Sequence, residues 1–464
     1  MNKNEPLLRV QRIQVDRLFG AFTHKVALNL EERVTILHGP NGVGKTVLLT
    51  MANALLEGKY SLFQRVPFDR FILELTDQRR VELTLGTPGP SHKSKNKKSA
   101  SSKRGRQEPL KTLHIKLFEK SREVAQHQVL HHDAAIADVI ARTIPWLHRH
   151  GEDLWLDERE GGIPLSPEEV VMRYGDEVGS DLPLTKRADY PDWLQAIHRD
   201  VKVHFIAAQR LLRIDVERPR RYTGSRLRTA PMVLDCAEDL RLRIRDTMAR
   251  YGQRSQTLDQ SFPQRLLSGN PKQLSADELK QRMERLDQRR RELKAIGLLD
   301  SLNSHPFDTS ELESLESAQK SVMALYVNDT EDKLSELDSL AQRIRLLLDN
   351  LNNKFQYKEI RIDGERGLIA EGESGRTLEL DALSSGEQHE LVLHYDLLFR
   401  VRQNTLVLMD EPELSLHVVW QKQFLPELLE IVKAVRFDVL LATHSPFIVG
   451  EYAELMIGLD AEQV

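Results

Sequence analysis

The stretch ILHGPNGVGKTVLL, residues 36–49, decides the fold because a glycine-rich loop lies between two apolar runs. From Gly39 to Thr46 the loop fits the spacing G-x-x-x-x-G-K-[ST] without a gap. The run before the loop predicts a short buried strand, and the run after it has helical apolar spacing that ends at Gly58. A chance glycine-rich turn is the alternative, but the order of strand, loop and helix favours a phosphate-binding loop.

Each residue type in this loop has a physical role in holding a nucleotide. Glycine lets the backbone curl, so that successive N–H groups point at phosphate oxygens. We expect Lys45 to reach the β- and γ-phosphates of ATP, and the hydroxyl of Thr46 to bind Mg²⁺. The positive end of the following helix faces the same phosphates. The predicted nucleotide-binding residues of the loop are Gly39, Asn41, Gly42, Gly44, Lys45 and Thr46.

Composition and charge exclude several classes of protein. The 464 residues are 40% hydrophobic and 29% charged, which is typical of a soluble protein with two or three structural units. A net charge of −4 gives no global signature of nucleic-acid binding. The chain has no apolar run of about 18 residues and no apolar signal-peptide core, so neither a membrane span nor secretion is expected. The single cysteine, Cys236, excludes an internal disulfide and a C-x-x-C metal site, as in a reducing cytosol.

Two features of the N-terminal half bear on nucleic-acid and metal binding. Residues 87–109 contain almost no apolar side chains, and their basic residues are Lys93, Lys95, Lys97, Lys98, Lys103, Arg104 and Arg106. We interpret this segment either as a solvated surface loop or as a flexible arm for nucleic acid or an acidic partner. The histidines beyond it have irregular spacing and no accompanying pattern of carboxylates, so we expect surface residues rather than a metal site. They are His127, His131, His132, His148 and His150.

A charged, glycine-poor region from about residue 234 to 355 has a helical pattern. Heptad-like apolar spacing occurs in residues 279–296 and again in residues 337–355, with a turn-rich segment between them. This pattern favours an antiparallel helical hairpin whose helices are short compared with those of most coiled coils. The alternative is that the helices pack on the main body. The predicted organisation is an N-terminal lobe (1–230), a helical or coiled-coil insertion (231–356) and a C-terminal lobe (357–464).

The last hundred residues hold further candidate catalytic groups. The sequence LVLMDEPELSLH begins at Leu406, and its apolar residues predict a buried strand with Asp410 and Glu411 at the carboxyl end. We expect Asp410 to hold Mg²⁺ through water and Glu411 to polarise the attacking water as a general base. The sequence LLATHSPFIV, residues 440–449, predicts another buried strand, and His444 after it can contact a γ-phosphate.

A second anion site is predicted in LSSGEQHEL, residues 383–391. Ser384 and Gly386 stand at the start of a predicted helix, and a helix N-terminus with small residues favours an anion. This site has no second lysine of its own. The sequence therefore suggests that it completes the nucleotide site of another copy of the chain.

The order of these motifs resembles the order found in ABC-type ATPase heads. The resemblance is to the branch that includes the SMC, break-repair, RecF and OLD-like ATPases. The resemblance covers about residues 8–85 and 378–459. It implies an α/β fold of the P-loop NTPase class, an ABC-type head with a RecA-like sheet, an antiparallel β subdomain and a short helical insertion.

The resemblance also assigns roles to single residues. Gln209 resembles the Q-loop glutamine, which would join Thr46 and Asp410 at Mg²⁺. Ser384 with Gly386 resembles the signature motif. Residues 413–417 resemble the D-loop, and His444 resembles the switch histidine.

The resemblance implies that ATP is held between two heads, head to tail, with Lys45 of one copy facing Ser384 of the other. Hydrolysis would then need a homodimer, which can build into a higher oligomer. Transport is disfavoured because Lys45 and Ser384 lie 339 positions apart, with a predicted helical region between them. A zinc hook needs C-x-x-C, which the sequence lacks. An OLD-type Toprim domain is not expected, since only 19 residues follow Ser445.

The motifs DEPELSLH, THSPFIV and FIAAQRL resemble the corresponding motifs of AAA-family ATPase subunits from bacterial phage-defence systems. These systems are of the PARIS, Septu and retron-associated types. The PARIS type is favoured. This likeness implies a cytoplasmic ATPase that is not itself a nuclease. It would respond to a phage protein and control a separate nuclease or toxin, with a Toprim-type nuclease as the favoured partner.

Two other interpretations stay open. One is a RecF-like DNA-repair ATPase, which would contact DNA through the basic residues 93–106. The other is an assembly module that binds ATP and barely turns it over, against which Glu411 argues.

Overall fold

A computed structural model describes residues 8–60, 62–63, 66–86, 112–129, 137, 140–150, 154–159, 163–165, 167–174, 190–206, 212–216, 227–268, 274–299 and 316–459. The predictions for the basic segment 87–109, for Gln209 and for His131 and His132 fall outside these residues. None of the helices in the described part of the chain combines the length and the apolar character that a bilayer crossing requires.

The elements of the N-terminal half are β1 (Val10–Leu18), β2 (Phe22–Ala27), β3 (Val34–His38), α1 (Lys45–Glu57), β4 (Arg70–Leu75), β5 (Arg79–Gly86), β6 (Thr112–Glu119), β7 (Arg122–Val129), β8 (Leu147–Arg149), β9 (Trp155–Asp157), β10 (Ile163–Leu165), α2 (Pro167–Tyr174), α3 (Asp192–Asp200), β11 (Val203–Ile206), β12 (Leu212–Val216) and β13 (Leu227–Pro231). There follow α4 (Met232–Ser268), α5 (Ala276–Ala295), α6 (Ser317–Ser335), α7 (Asp338–Asn352), β14 (Lys358–Asp363), β15 (Gly367–Gly372), β16 (Thr377–Leu378), α8 (Ser385–Tyr395), β17 (Leu406–Asp410), α9 (Val418–Val435), β18 (Asp438–Ala442), α10 (Pro446–Val449) and β19 (Met456–Gly458).

A five-stranded parallel sheet in the order β11-β17-β18-β3-β19 positions the phosphate-binding loop. Its central strands are buried on both faces, as in other parallel sheets covered by helices. Along β17, Leu406 and Leu408 enter the core that contains α1, whereas Val407 and Met409 enter the core that contains α8 and α9. The sheet therefore separates two hydrophobic cores, and its carboxyl edge is the place where the loop and the predicted acidic residues meet.

An antiparallel sheet in the order β2-β1-β4-β5-β6-β7 covers the core that contains α1. Alternate residues of its strands, such as Ile13, Phe71 and Val81, are buried in that core, because side chains of a strand alternate between the two faces. The antiparallel β subdomain predicted by resemblance is therefore present. The basic segment 87–109 belongs to the connection between β5 and β6, which pair with each other.

The helical region α4–α7 differs from the predicted hairpin. The apolar seam of α5 and that of α7 are both buried in the same core as α8 and α9, so these helices pack on the main body. Ion pairs join Arg289 to Asp338 and Glu292 to Arg345, so the residue numbers rise together along α5 and α7. The two seams thus run in the same direction, and the expectation of an antiparallel pair is wrong. The predicted domain boundaries stay a prediction.

Candidate functional site

The loop between β3 and α1 adopts a backbone that requires glycine. Gly42 and Gly44 have φ angles of 84° and 94°, in the left-handed region that residues with a Cβ rarely adopt. A Cβ at Gly44 would also collide with the Cδ2 atom of Leu18, whereas a Cβ at Gly42 would meet open space. The loop is therefore pressed against β1 at Gly44, just before α1 begins at Lys45.

We expect Gly44→Ala to weaken both nucleotide binding and thermal stability. The left-handed backbone costs an alanine about 1–2 kcal/mol, and relief of the clash with Leu18 moves the N–H groups of the loop. Gly42→Ala is the matched control, because it carries the backbone cost without the clash. The measurements are Tm and the Kd for a fluorescent ATP analogue. Equal losses in the two variants would show that packing on Leu18 has no part in the loop's geometry.

Lys45 lies folded onto its own loop. Its ammonium donates hydrogen bonds to the carbonyl oxygens of Gly39 and Pro40, at 2.7 and 2.9 Å, and lies 3.4 Å from Nδ1 of His444. Burial lowers the pKa of Lys45, while the nearby carboxylate of Glu411 opposes that change. The ammonium is therefore poorly hydrated and is bound to neutral carbonyls, which phosphate oxygens would outcompete.

Thr46 and Asp410 meet although they are 364 residues apart in the chain. The hydroxyl of Thr46 donates a hydrogen bond of 2.9 Å to Oδ1 of Asp410, at the end of β17. Burial raises the pKa of Asp410, the hydrogen bond from Thr46 lowers it, and the negative charge of Glu411 raises it. Two oxygen ligands of the kind that Mg²⁺ prefers thus lie side by side.

Glu411 adopts a strained backbone next to the histidine of the following strand. Its φ and ψ angles, 45° and 57°, are left-handed, and such strain in a residue other than glycine is common at functional sites. The Glu411 N–H donates to the carbonyl oxygen of Ala442 at 2.9 Å, which fixes the turn against β18. Nε2 of His444 lies 3.6 Å from Oε1 of Glu411. The predicted general base and the predicted switch histidine are therefore neighbours.

Ser384 and Gly386 lie at the start of α8. Ser384 is the N-cap, and it forms a capping box with Glu387, whose carboxylate also accepts a hydrogen bond from Lys358 at 2.8 Å. In the part of the chain that the structure describes, the side-chain hydrogen bonds of Ser384 go to Glu387 and not to the loop at residues 39–46. The cluster thus contains Lys45, Thr46, Asp410, Glu411 and His444, without the two signature residues.

Sequence reasoning missed two residues that support this cluster. Glu413 accepts hydrogen bonds from the turn that carries His444, a contact that the D-loop resemblance did not assign. Nε2 of the buried His24 lies 2.7 Å from the carbonyl oxygen of Val43 in the loop. His24 and Val43 are separated by 19 positions and lie in different elements, so no local pattern indicates the pair.

A second polar cluster lies buried between α8, α9 and the end of α7. The ammonium of Lys354 is 2.7 Å from Glu390 and 2.6 Å from Glu427, and His394 Nε2 is 3.1 Å from Glu427. Glu390, His394 and Glu427 have the spacing of metal ligands, and no other such group occurs among the described residues. The Lys354 ammonium already occupies the position of a cation between the two carboxylates. Of the five histidines considered from the sequence, His127, His148 and His150 lie in the described part of the chain, and none of these three belongs to this cluster.

The protein should lose stability at alkaline pH because of His394. Burial by itself lowers the pKa of His394, but the contacts with Glu390 and Glu427 raise it to about 9. The pKa of His394 is about 6.5 in the unfolded chain, so its protonation stabilises the fold by the full amount, about 3 kcal/mol, at a pH below 6.5. This stabilisation is lost as the pH rises through 9. Tm measured from pH 6 to pH 10 should fall more steeply for the wild type than for His394→Gln. Parallel curves would contradict the assignment.

Comparison with known proteins adds a family match over part of the chain. Residues 238–450 match the family model described as "AAA domain, putative AbiEii toxin, Type IV TA system". No curated protein matches the sequence. The matched span contains the candidate residues from Ser384 to His444 and begins after the phosphate-binding loop.

Among solved structures, the chain is similar to an SMC head domain with an extended coiled coil, bound to the C-terminal domain of ScpA, from Pyrococcus furiosus. The identity is 11%, the alignment covers 98% of this chain and 94% of that chain, and the TM-score is 0.34. It is also similar to an SMC head domain from Thermotoga maritima, with 10% identity, coverage of 97% and 94%, and a TM-score of 0.32. The predicted fold class, an α/β fold of the P-loop NTPase type, is confirmed by the parallel sheet and by the glycine-rich loop at its carboxyl edge.

Proposed function

We propose that this chain hydrolyses ATP, that two copies close around the nucleotide, and that the closed dimer controls a separate nuclease or toxin in phage defence. The observation that carries the proposal is the convergence of Lys45, Thr46, Asp410, Glu411 and His444 at the carboxyl edge of one parallel sheet. These groups supply charge neutralisation, metal ligation and a general base, which are the parts that phosphoryl transfer to water requires.

The residues fit a magnesium nucleotide. Thr46 and Asp410 present adjacent oxygens for Mg²⁺, and Gln209 is the third proposed ligand. When bound, Mg²⁺ neutralises charge on the β- and γ-phosphates. Lys45 exchanges its carbonyl partners for phosphate oxygens. Glu411 accepts the proton of the attacking water, and His444 donates a hydrogen bond to a phosphate oxygen.

Two observations support a second copy as the partner. Ser384 and Gly386 lie at the N-terminus of α8, apart from the cluster around Lys45, and a helix N-terminus favours an anion. Large apolar side chains are also exposed on the segments next to the proposed catalytic residues, and side chains of this kind are the ones that an interface between two copies buries. They are Leu414, Val418, Val419 and Phe447. The proposed sandwich joins Lys45 of one copy to Ser384 of the other.

The effector part of the proposal rests on the family description, which names a toxin and a toxin–antitoxin system, and on the likeness of the motifs to defence ATPases. A Toprim-type nuclease is the favoured effector, a phage protein the favoured trigger, and the cytosol the favoured location. The test is a pull-down of tagged Glu411→Gln and Lys45→Ala proteins expressed from the native operon, followed by mass spectrometry. A neighbouring nuclease or toxin held only by Glu411→Gln would support the scaffold; no operon partner with either variant would contradict it.

A RecF-like role in DNA repair is the second candidate, favoured by the seven basic residues of segment 93–106. Deleting that segment should then abolish DNA binding that weakens as salt rises. Copurification of DNA and repair factors with Glu411→Gln, without an operon partner, would favour this candidate. Unchanged DNA affinity after the deletion would count against it.

A further inference from the structure

His24 lies on the inward-facing side of β2, at a position of the kind that apolar side chains usually fill. On that side of the strand its neighbours are Phe22 and Val26, which pack in or against the core that contains α1. The ring centroids of His24 and Phe22 lie 6.0 Å apart, and His24 is only 2% exposed. A buried imidazole N–H costs free energy unless it forms a hydrogen bond, so the fold depends on the acceptor that His24 reaches.

That acceptor lies in the middle of the glycine-rich loop. Nε2 of His24 is 2.7 Å from the carbonyl oxygen of Val43. A carbonyl oxygen only accepts hydrogen bonds, so Nε2 carries the proton and donates it. Val43 stands between the left-handed residues Gly42 and Gly44, and its side chain is buried in the core that contains α1. The loop is thus held at Val43 through both its side chain and its backbone.

The orientation of the Val43 carbonyl determines the orientation of the next N–H group. The peptide unit between Val43 and Gly44 is planar and trans, so its C=O and N–H bonds point in opposite directions. The C=O bond points to His24 in the antiparallel sheet, and the Gly44 N–H therefore points away from His24. Among the described residues, no backbone carbonyl oxygen accepts a hydrogen bond from this N–H. It lies directly before α1, where the backbone N–H groups of a phosphate-binding loop meet their anion.

We propose that His24 is a positioning residue that aims the Gly44 N–H at the phosphates of ATP through the carbonyl of Val43. The proposal rests on the proposed binding of ATP to the loop, and it adds to the loop's geometry a residue from a different sheet. Rotation of the peptide unit changes ψ of Val43 and φ of Gly44, and glycine tolerates a wide range of φ. Without the hydrogen bond from His24, the N–H turns away from the phosphates and binding weakens although the loop is intact.

The test compares the affinity of the wild type, His24→Phe and His24→Gln for MgATP, by titration against a fluorescent ATP analogue. Phenylalanine keeps a ring but has no donor, so Kd should rise about 10-fold, the upper range for one hydrogen bond. Glutamine carries an N–H donor at a similar distance from the backbone and should bind nearly as tightly as the wild type. In steady-state hydrolysis, His24→Phe should raise KM with kcat nearly unchanged, because the same contact is made before and during the reaction.

Thr35→Val is the matched control for a general loss of stability. Thr35 is also buried, and its hydroxyl accepts a hydrogen bond of 2.8 Å from the N–H of Asn29, near the end of β3 opposite the loop. This variant should lower Tm about as much as His24→Phe and leave Kd unchanged. Equal rises of Kd in these two variants would overturn the inference, and so would a Kd for His24→Gln as high as that for His24→Phe.

If His24→Phe does not fold, His24→Asn decides the same question, because its shorter side chain does not bring a donor to Val43. Its Kd should rise as expected for His24→Phe. A wild-type Kd in either variant would overturn the inference and leave the proposed function intact. A wild-type protein that does not bind MgATP would contradict the proposed function, and the inference with it.

Discussion

Replacing Glu411 with Gln should lower kcat for ATP hydrolysis by about 100- to 10,000-fold, the range of a lost general base, while ATP stays bound. Gln keeps the size of the side chain and its contact distance to His444, but it does not take up a proton from water. The change also removes a negative charge near Lys45 and Asp410. Nucleotide binding should therefore be at least as tight as in the wild type.

The measurement is steady-state hydrolysis, followed by gel filtration with bound nucleotide counted in the protein peak. Glu454→Gln, an exposed carboxylate away from the cluster, is the control and should hydrolyse ATP normally. A loss of less than tenfold in Glu411→Gln, or release of ATP during filtration, would contradict the assignment of Glu411 as the general base.

Lys354→Met should destabilise the protein by about 3–5 kcal/mol, the cost of removing one partner from a buried ion pair. The Lys354 side chain is completely buried and contacts two carboxylates. Methionine has a similar volume but no charge, so Glu390 and Glu427 would keep only His394 as a cationic partner. The midpoint of thermal unfolding should fall accordingly.

Lys358→Met is the matched control for that prediction. Lys358 also pairs with a carboxylate, that of Glu387 at 2.8 Å, but its side chain is 27% exposed. Its loss should cost no more than about 1 kcal/mol. The double variant Lys354→Met with Glu427→Gln restores a neutral cluster and should recover part of the lost stability. Equal effects of Lys354→Met and Lys358→Met would show that burial of the cluster carries no special cost.

The parts of the site that the sequence predicts are those in which a local pattern requires particular residues. The loop from Gly39 to Thr46 needs glycine at left-handed positions, and the strand that ends in Asp410 and Glu411 needs an apolar run. Both patterns are short and contiguous, so they can be read without knowledge of the fold.

The parts that the sequence does not predict depend on residues far apart in the chain. Glu413 contacts the backbone of His444 across 31 positions, and Lys354 contacts Glu427 across 73 positions. In each case the sequence contains many groups that could form the same hydrogen bond or ion pair. The packing of the sheet and the helices decides which of them come into contact. For the same reason the heptad pattern of α5 and α7 predicts buried seams correctly but does not give their relative direction, which contacts between distant residues such as Glu292 and Arg345 show.

The central claim is that each ATP site is built from two copies of the chain, and mixing two inactive variants tests it most directly. Lys45→Ala removes the proposed phosphate contact of the loop. Ser384→Asp keeps a good N-cap for α8 but places a negative charge where the other copy's phosphate would bind. Each variant alone should be inactive.

Hydrolysis should be measured for each variant and for their equal mixture. In mixed dimers one site combines an intact loop with an intact Ser384, so activity should recover to about a quarter of the wild-type value for statistical pairing. An inactive mixture of two folded variants, or full activity of Ser384→Asp alone, would contradict a site shared between two copies.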